Sequence, residues 1–259
     1  MRNSKMNIKL PLISDRLIKD FPVIETEKYI LRLASTKEEL EYVFRLRFEI
    51  FNIELGLEYS ASNLTQRDQD EFDMVCHHLI LIFKPTGKIV GNYRMQSYRM
   101  ASQALGFSAA KYFNINDIPD SILQETVELG RACIAKEYRN IQALLLLWKG
   151  LGNYLVWSGN QYFLGRVTFK TQSPLKARCA YNYFQRKNLM HQSILVYPNS
   201  EFILELPQQC PRSHNVEIPH ILQAYFACGA KICSLPSIGQ FKCTTFLTIF
   251  NSKDVTRYH

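Results

Sequence analysis

Three arginines, three aspartates and a glutamate stand close to apolar runs in the middle of the chain: Arg47, Asp68, Asp70, Asp73, Arg94, Glu128 and Arg131. The flanking segments, Cys76 to Phe83 and Glu128 to Ile134, read as buried elements, and charge is rarely placed in a core without a partner or a reaction. These seven side chains are therefore expected to converge on one polar site. A carboxylate there can take a proton from a nucleophile, and donors can meet charge that develops on an oxygen. Asp70 and Asp73, delivered by a loop, suit either holding an ammonium group or ordering that loop against Arg47 and Arg94, the ordering role being favoured. Arg94 or Arg131 also suits clamping a carboxylate, which the guanidinium fork does well.

Two other constellations carry less. Cys76, His77 and His78 hint at a metal, but adjacent strand residues point apart and no second ligand pair follows at useful spacing. No metal site is expected, and His78 reads as packed. Seven cysteines, at 76, 133, 179, 210, 228, 233 and 243, lack C-x-x-C spacing and are expected to be reduced, buried and inert. Cys133 sits beside Glu128 and Arg131, yet an apolar setting raises a thiol's pKa and silences it as a nucleophile.

With 259 residues, 47% of them hydrophobic, the chain can bury a large core. It reads as a basic arm over residues 1–27, with a short amphipathic segment after Ser14, and a single domain over 28–259. No apolar run reaches the ~20 residues a bilayer crossing needs, and no leader pattern opens the sequence. A cytoplasmic protein, peripheral to the inner membrane as an option, is the expectation, with the arm suited either to docking on the domain or to touching a membrane. A formal charge of +8 favours an acidic partner. Nucleic acid is the weakest choice, because zinc-finger, helix-turn-helix and aromatic-basic RNA signatures are missing.

Periodicity predicts a strand at 29–34, then a helix capped by Ser35 or Thr36 that runs to about Leu55 and closes at Gly56. Residues 57–72 read as a loop. Strands at 78–83 and 88–96 flank Lys84-Pro85-Thr86-Gly87, a hairpin turn. After an irregular stretch from 99 to 120 come a strand at 126–135, a long apolar helix from Tyr138 to Trp157, a strand at 161–168 and a helix at 174–187. A strand at 194–197, a helix at 218–228 and strands at 231–234 and 244–250 complete the reading. Hairpins in the first half and strand-helix-strand units in the second mean an α/β (α+β) molecule, a central mixed twisted sheet with helices on both faces.

That order of elements is similar to the Gcn5-related N-acyltransferase fold, and the residues strengthen the likeness. Arg47-x-x-x-Phe51, Asp70-x-x-Asp73, Arg94 and Glu128-x-x-Arg131 resemble the charged signature of the acyl-homoserine-lactone autoinducer synthases. A closer resemblance is to the ornithine-lipid and N-acyl amino acid synthases, acyl-carrier-protein-dependent N-acyltransferases also labelled hemolysin-like. It is carried by Asp68-Gln-Asp70-Glu-Phe72-Asp73, Cys76-His77-His78-Leu79, Gly91-Asn-Tyr93-Arg94, the block from Glu128 to Arg139, and Leu147-Trp148-Lys-Gly150. Near the C-terminus Leu222-Gln-Ala-Tyr225, Gly229-Ala230-Lys231-Ile-Cys233 and Thr245-Phe-Leu continue it, so that it spans about residues 28 to 258. The chain departs at Leu57, where autoinducer synthases carry tryptophan, at His77, where an acidic residue is common, and at Asn140-Ile141-Gln142, where glycines are usual.

The resemblance implies transfer of a long fatty acyl group from a thioester of acyl carrier protein, or of coenzyme A, to the amine of an amino acid or related small amine. The product would be an N-acyl amino acid or lyso-aminolipid. No permanently bound cofactor is expected, acyl-phosphopantetheine being a donor substrate. Within that frame Glu128 is the expected base, with Asp70 or Asp73 as rival, and Arg47, Arg94 and Arg131 complete the catalytic group. Arg139, Asn140 and Ile141 at the start of the long helix, with Cys133, are expected to face the phosphopantetheine. Phe51 and Trp148 are assigned to the substrate, and Leu144 to Leu147, Tyr154 and Trp157 join Trp148 as tunnel candidates. Lys136, Arg166, Lys170, Lys176, Arg178, Arg186 and Lys187 are expected on the surface, where some would dock the acidic carrier protein. Two alternatives stay open: a signal synthase of the autoinducer type, and a non-catalytic lipid-binding protein that keeps the charges as a structural network.

Overall fold

A computed structural model describes residues 20–56, 60–209, 216–239 and 243–255. The chain opens with strands β1 (Ile24–Glu25) and β2 (Tyr29–Leu33) and helix α1 (Lys37–Phe48), capped by Thr36, whose side chain accepts from the Glu39 amide. A π-helical turn, Glu49–Glu54, extends α1 as far as the apolar pattern predicts. Gly56 ends it with φ +62°, a left-handed conformation that glycine adopts without steric cost. The segment expected to be a loop contains a short helix, Ser60–Thr65, while Leu57 lies outside the described residues.

The predicted hairpin is present as β3 (His77–Phe83) and β4 (Lys88–Ser97). Then follow β5 (Thr126–Ile134), the long helix α2 (Ile141–Ser158), β6 (Tyr162–Phe169), α3 (Pro174–Arg186), α4 (His220–Ala227), β7 (Lys231–Ile232), β8 (Ser237–Ile238) and β9 (Thr244–Asn251). Residues 194–197 do not form the expected strand; Val196 makes only an isolated bridge to Ser234. The arm's first residues, 1–19, lie outside the described set. Its last ones belong to the sheet: β1 pairs with β2, and Phe21 is buried against Tyr154 and Trp157.

The strands form one mixed sheet in the order β1-β2-β3-β4-β5-β6-β9-β7, with β8 on β9. Every pairing is antiparallel except β5 with β6. That parallel pair is short: it runs from Thr126↔Tyr162 to Leu129↔Gly165 and stops, although both strands continue. Beyond Leu129, β5 stays with β4 and β6 stays with β9, so the sheet splits into a V.

Helix α2 packs on one face of the sheet, over Leu31, Leu79, Leu81, Tyr93, Met95 and Val127. Its approach is close at Gly150, where a Cβ would collide with Leu31 and lie 2.9 Å from Leu79 Cδ2. On the opposite face α1 covers Ile80 and Ala34 through Val43 and Phe44. The helices thus enclose the first half of the sheet from both sides, and the opening of the V lies beside them. Among the described residues no helix is long and apolar enough to cross a membrane.

Candidate active site

Strand register decides which charges meet. Arg94 lies opposite Gly130 and Gln96 opposite Glu128, so Arg94, Gln96 and Glu128 share the face that α1 covers, while Tyr93, Met95 and Val127 point into the core under α2. Between Asn92 and Arg94 the register shifts: two steps on β4 span three on β5, from Gly130 to Cys133. The extra residue is a β-bulge, and Arg131 within it has φ +51°. A non-glycine side chain in that conformation is strained, and such strain clusters at functional sites. On a regular strand Glu128 and Arg131 would point to opposite faces. The bulge instead turns Arg131 toward the same side, where it meets Asp68 and Asp70.

The arginines and aspartates close into a ring of alternating charge. Arg47 binds Asp68 and Asp73, with Nε 2.8 Å from Asp68 Oδ1 and Nη1 2.7 Å from Asp73 Oδ1. Arg94 joins Asp73, at 2.9 Å, to Asp70, and Arg131 joins Asp70, at 3.1 Å, back to Asp68, at 2.9 Å. Each of the six charges faces two of opposite sign, so the ring is electroneutral although Arg47, Asp68 and Asp73 are fully buried. Burial pushes the Asp73 carboxyl up, but Arg47 and Arg94 outweigh it and hold the group well below the usual carboxylate range. Arg47 and Arg94 are held above theirs: burial lowers them, and the aspartates more than reverse it. The backbone joins in, since the Asp70 amide donates to Asp73 Oδ2 at 2.7 Å and the Asp68 amide to the Phe44 carbonyl at 3.0 Å. The ring therefore ties the 68–73 segment, α1, β4 and the bulge together.

Glu128 stands outside the ring. Its Oε2 accepts from the Ser108 amide at 2.6 Å, and Oε1 accepts from Ser108 Oγ and the Ala109 amide, each at 2.8 Å. These donors open the 3-10 turn Ser108–Lys111 and hold the carboxylate in one orientation. A carboxylate offers about four acceptor positions, so one on Oε2 is left over. Beside it, both polar atoms of the buried Gln96 side chain make no protein hydrogen bond. Gln96, Glu128, Arg94, Ser108, Cys76 and Gly130 surround a cavity of about 10 Å³, room for one water.

Gly130 also lines a much larger cavity, of about 540 Å³, that occupies the V between β5 and β6 on the α2 side. Its walls are mostly apolar: Trp148, Leu151 and Leu155 of α2, Phe163 of β6 and Phe250 of β9. Tyr93 and Tyr225, both lining it, share a 2.9 Å hydrogen bond between hydroxyls. Burial raises the pKa of each phenol, which keeps both protonated at neutral pH. Two sites thus meet at Gly130: a polar pocket on the α1 side and an apolar slot on the α2 side.

Several expected site residues lie elsewhere. Cys133 and Phe51 do not line the slot; they pack with Leu46 and Ile50 in an apolar cluster under α1, where burial pushes the Cys133 thiol up to about 12. Of the tunnel candidates on α2, Trp148 faces the slot, whereas Leu147 and Tyr154 point into the sheet core and Trp157 packs on Phe21. The slot takes the next stripe of the helix, Leu151 and Leu155. Arg139 forms an ion pair with Glu54 and donates to the Ile134 carbonyl at 2.8 Å, and Asn140 caps α2 through the Ala143 amide. That leaves the amides of Ile141 and Gln142 free of intrahelical partners.

The adjacent histidines point apart. His77 meets the Tyr154 hydroxyl at 2.7 Å; His78 is buried with Nε2 3.0 Å from the Asp73 carbonyl and its ring edge-on to Phe44. Burial lowers the pKa of each to about 4. The cysteines need two corrections, because Cys179 is disulfide-bonded and Cys228 is only half-buried. Cysteine pairing depends on Cα separation in the fold and needs no short sequence motif. Arg166, expected on the surface, turns inward instead: it lines the slot, lies over the Tyr112 ring at 4.8 Å and has Nη2 3.5 Å from Ser108 Oγ. Sequence reasoning also passed over Gln96 and Ser108. Two residues beyond Arg94 on the same strand, Gln96 could have been found by period-2 alternation; Ser108 lies in an irregular stretch with no such signal.

Comparison with known proteins fits this architecture. Residues 46–149 match the family model described as an acetyltransferase (GNAT) domain. An L-ornithine Nα-acyltransferase of Brucella abortus is 34% identical over 131 residues, 48% of this chain and 47% of that one. A glycine Nα-acyltransferase of Bacteroides thetaiotaomicron is 27% identical over 219 residues, covering 78% and 63%. The chain thus spans about half to two thirds of the length of these relatives. A solved N-acyl amino acid synthase from uncultured soil microbes superposes with a TM-score of 0.53 at 8% identity, over 89% of this chain and 93% of that one, a likeness of fold. The split sheet and the matched domain establish that the chain carries a Gcn5-related N-acetyltransferase (GNAT) fold and is similar in sequence to Nα-acyltransferases of amino acids.

Proposed function

We propose that the protein is an N-acyltransferase that moves a long-chain fatty acyl group from the thioester of acyl carrier protein, or of coenzyme A, to the α-amine of an amino acid. The observation that carries this reading is the junction at Gly130, which lines both a pocket holding an oriented carboxylate and an apolar slot of about 540 Å³. That size suits a chain-like ligand. The amino acid names of the relatives support the acceptor class.

In this scheme the acyl chain lies along Trp148, Leu151 and Leu155, and the pantetheine arm follows the part of β5 that β6 has left unpaired. The amine enters from the Glu128 side. It must lose a proton to attack the thioester carbon. Glu128 receives that proton through a water in the small cavity, where Gln96 supplies the orienting hydrogen bonds. A C–N bond forms, the C–S bond breaks, and the departing thiolate takes a proton from the Tyr93–Tyr225 pair or from solvent. The charged ring keeps the bulge and the 68–73 segment in place for this geometry. Asp70 and Asp73, spent on arginines, are not needed as bases.

Basic residues left on the surface, Lys176, Arg186 and Lys187 at the two ends of α3, supply charge for an acidic carrier protein. The test is direct. Purified protein, palmitoyl-acyl carrier protein and a panel of amino acids are incubated, and products are read by mass spectrometry. An N-acyl amino acid is expected from the wild-type protein and at least about 100-fold less from E128Q. Failure of the wild-type protein with both the carrier-protein and coenzyme A donors across the panel overturns the reading.

A further inference from the structure

The acceptor of such a transfer has to be held as well as deprotonated, and two cations expected to hold it are already engaged. Arg94 and Arg131 each face two aspartates of the ring. Lys111, on the same turn as Ser108, forms an ion pair with Glu71. Arg166 differs. Its contacts are the Tyr112 ring and Ser108 Oγ, and no carboxylate among the described residues lies within ion-pairing distance. A half-buried guanidinium at the mouth of a split sheet, resting on an aromatic face with no carboxylate in direct contact, suits a planar anion.

Its position is specific. Leu164 and Arg166 share one face of β6, the face packed against Phe107, Ala109 and Phe113, whereas Gly165 turns to the other side. The hydroxyl that Arg166 approaches is the one that donates to Glu128 Oε1 at 2.8 Å. An anion on Arg166 is therefore next to the base, and a group attached one carbon away from that anion reaches it.

Building on the acyltransferase reading, we infer that Arg166 binds the α-carboxylate of the acceptor amino acid and so presents its α-amine to Glu128. Selection of amino acids over simple amines then depends on one side chain outside the charged ring. Substitution at Arg166 changes acceptor recognition and leaves the apolar wall of Trp148, Leu151 and Leu155 in place.

The experiment compares glycine and ornithine with glycinamide and ornithinamide, which keep the amine and lose the carboxylate charge, using wild-type protein, R166M and R166K with one acyl donor. The wild-type protein is expected to favour the acids. R166M should raise KM for the acids about 10- to 100-fold, the worth of a charged hydrogen bond, change kcat little and use acids and amides equally well. R166K, which keeps the charge, should retain a reduced preference. Wild-type protein that acylates acids and amides equally well, or R166M that keeps the wild-type preference, overturns the inference while leaving the acyltransferase standing. A wild-type protein that acylates no amine removes both.

Discussion

Two charged regions lie within a few residues of each other and differ in how their polar capacity is used. In the ring of Arg47, Asp68, Arg131, Asp70, Arg94 and Asp73 every charge meets two of opposite sign. Around Glu128, by contrast, the Gln96 side chain makes no protein hydrogen bond and Arg166 has no ion-pair partner among the described residues. The first region stabilises geometry and the second has hydrogen bonds to offer a substrate. On the proposed reading, unspent donors and acceptors beside an oriented carboxylate, and not charge density alone, mark the reacting centre.

The contrast is sharpest at Glu128 and Arg47. E128Q keeps the shape of the side chain and removes the proton acceptor, so acyl transfer should fall by about 10²- to 10⁴-fold while the circular dichroism spectrum is retained. Activity within threefold of wild type would place the base elsewhere. R47M should act on stability first, because it leaves Asp68 and Asp73 buried with one arginine each. Breaking a buried ion pair costs roughly 3 to 5 kcal/mol, and urea denaturation measures it. A loss under 1 kcal/mol would mean that the ring does not hold the fold.

A pH series probes the same neighbourhood from His78. Unfolded, this histidine titrates near 6.5; folded, burial lowers its pKa to about 4. The unfolded chain therefore takes up a proton between those values that the folded chain refuses, so stability is full above pH 6.5 and declines as pH falls toward 4, by roughly 3 kcal/mol in the limit. Chemical denaturation of H78Q beside wild type should show a shallower decline, and identical pH profiles would count against it. The smallest effect is expected in the slot. A Cβ at Gly152 has nothing within 4 Å, so G152L should fold normally, even gaining helix propensity, and narrow the cavity. Turnover of C16 donors should drop about tenfold relative to C8 donors; an unchanged chain-length profile would show that the alkyl chain runs elsewhere.

Much of the fold was legible because local physics dictates it. The β3–β4 hairpin follows from Lys84-Pro85-Thr86-Gly87 between two apolar strands, and Gly87 indeed adopts φ +67°. Thr36, one of the two expected caps, caps α1, and Pro174 stands in the first turn of α3. The convergence of Arg47, the three aspartates, Arg94 and Arg131 could be expected because isolated charges in apolar runs need partners. Less legible were residues whose role depends on a distant element. Arg166 looks like any surface cation until β6 parts from β5, and Cys133 looks donor-facing until α1 covers it.

By itself the sequence determined the order of the main strands and helices, the α1 cap and the β3–β4 turn, and the need for the buried acids and arginines to meet, since periodicity, backbone preference and the cost of an unpaired charge act within short stretches or between residue types. Tertiary structure alone decided which strand pair ends early, which residue sits in the bulge and therefore which polar groups are left unspent. Those outcomes depend on strand register and on the separation of two chains of hydrogen bonds, quantities that no segment carries until its neighbours are in place.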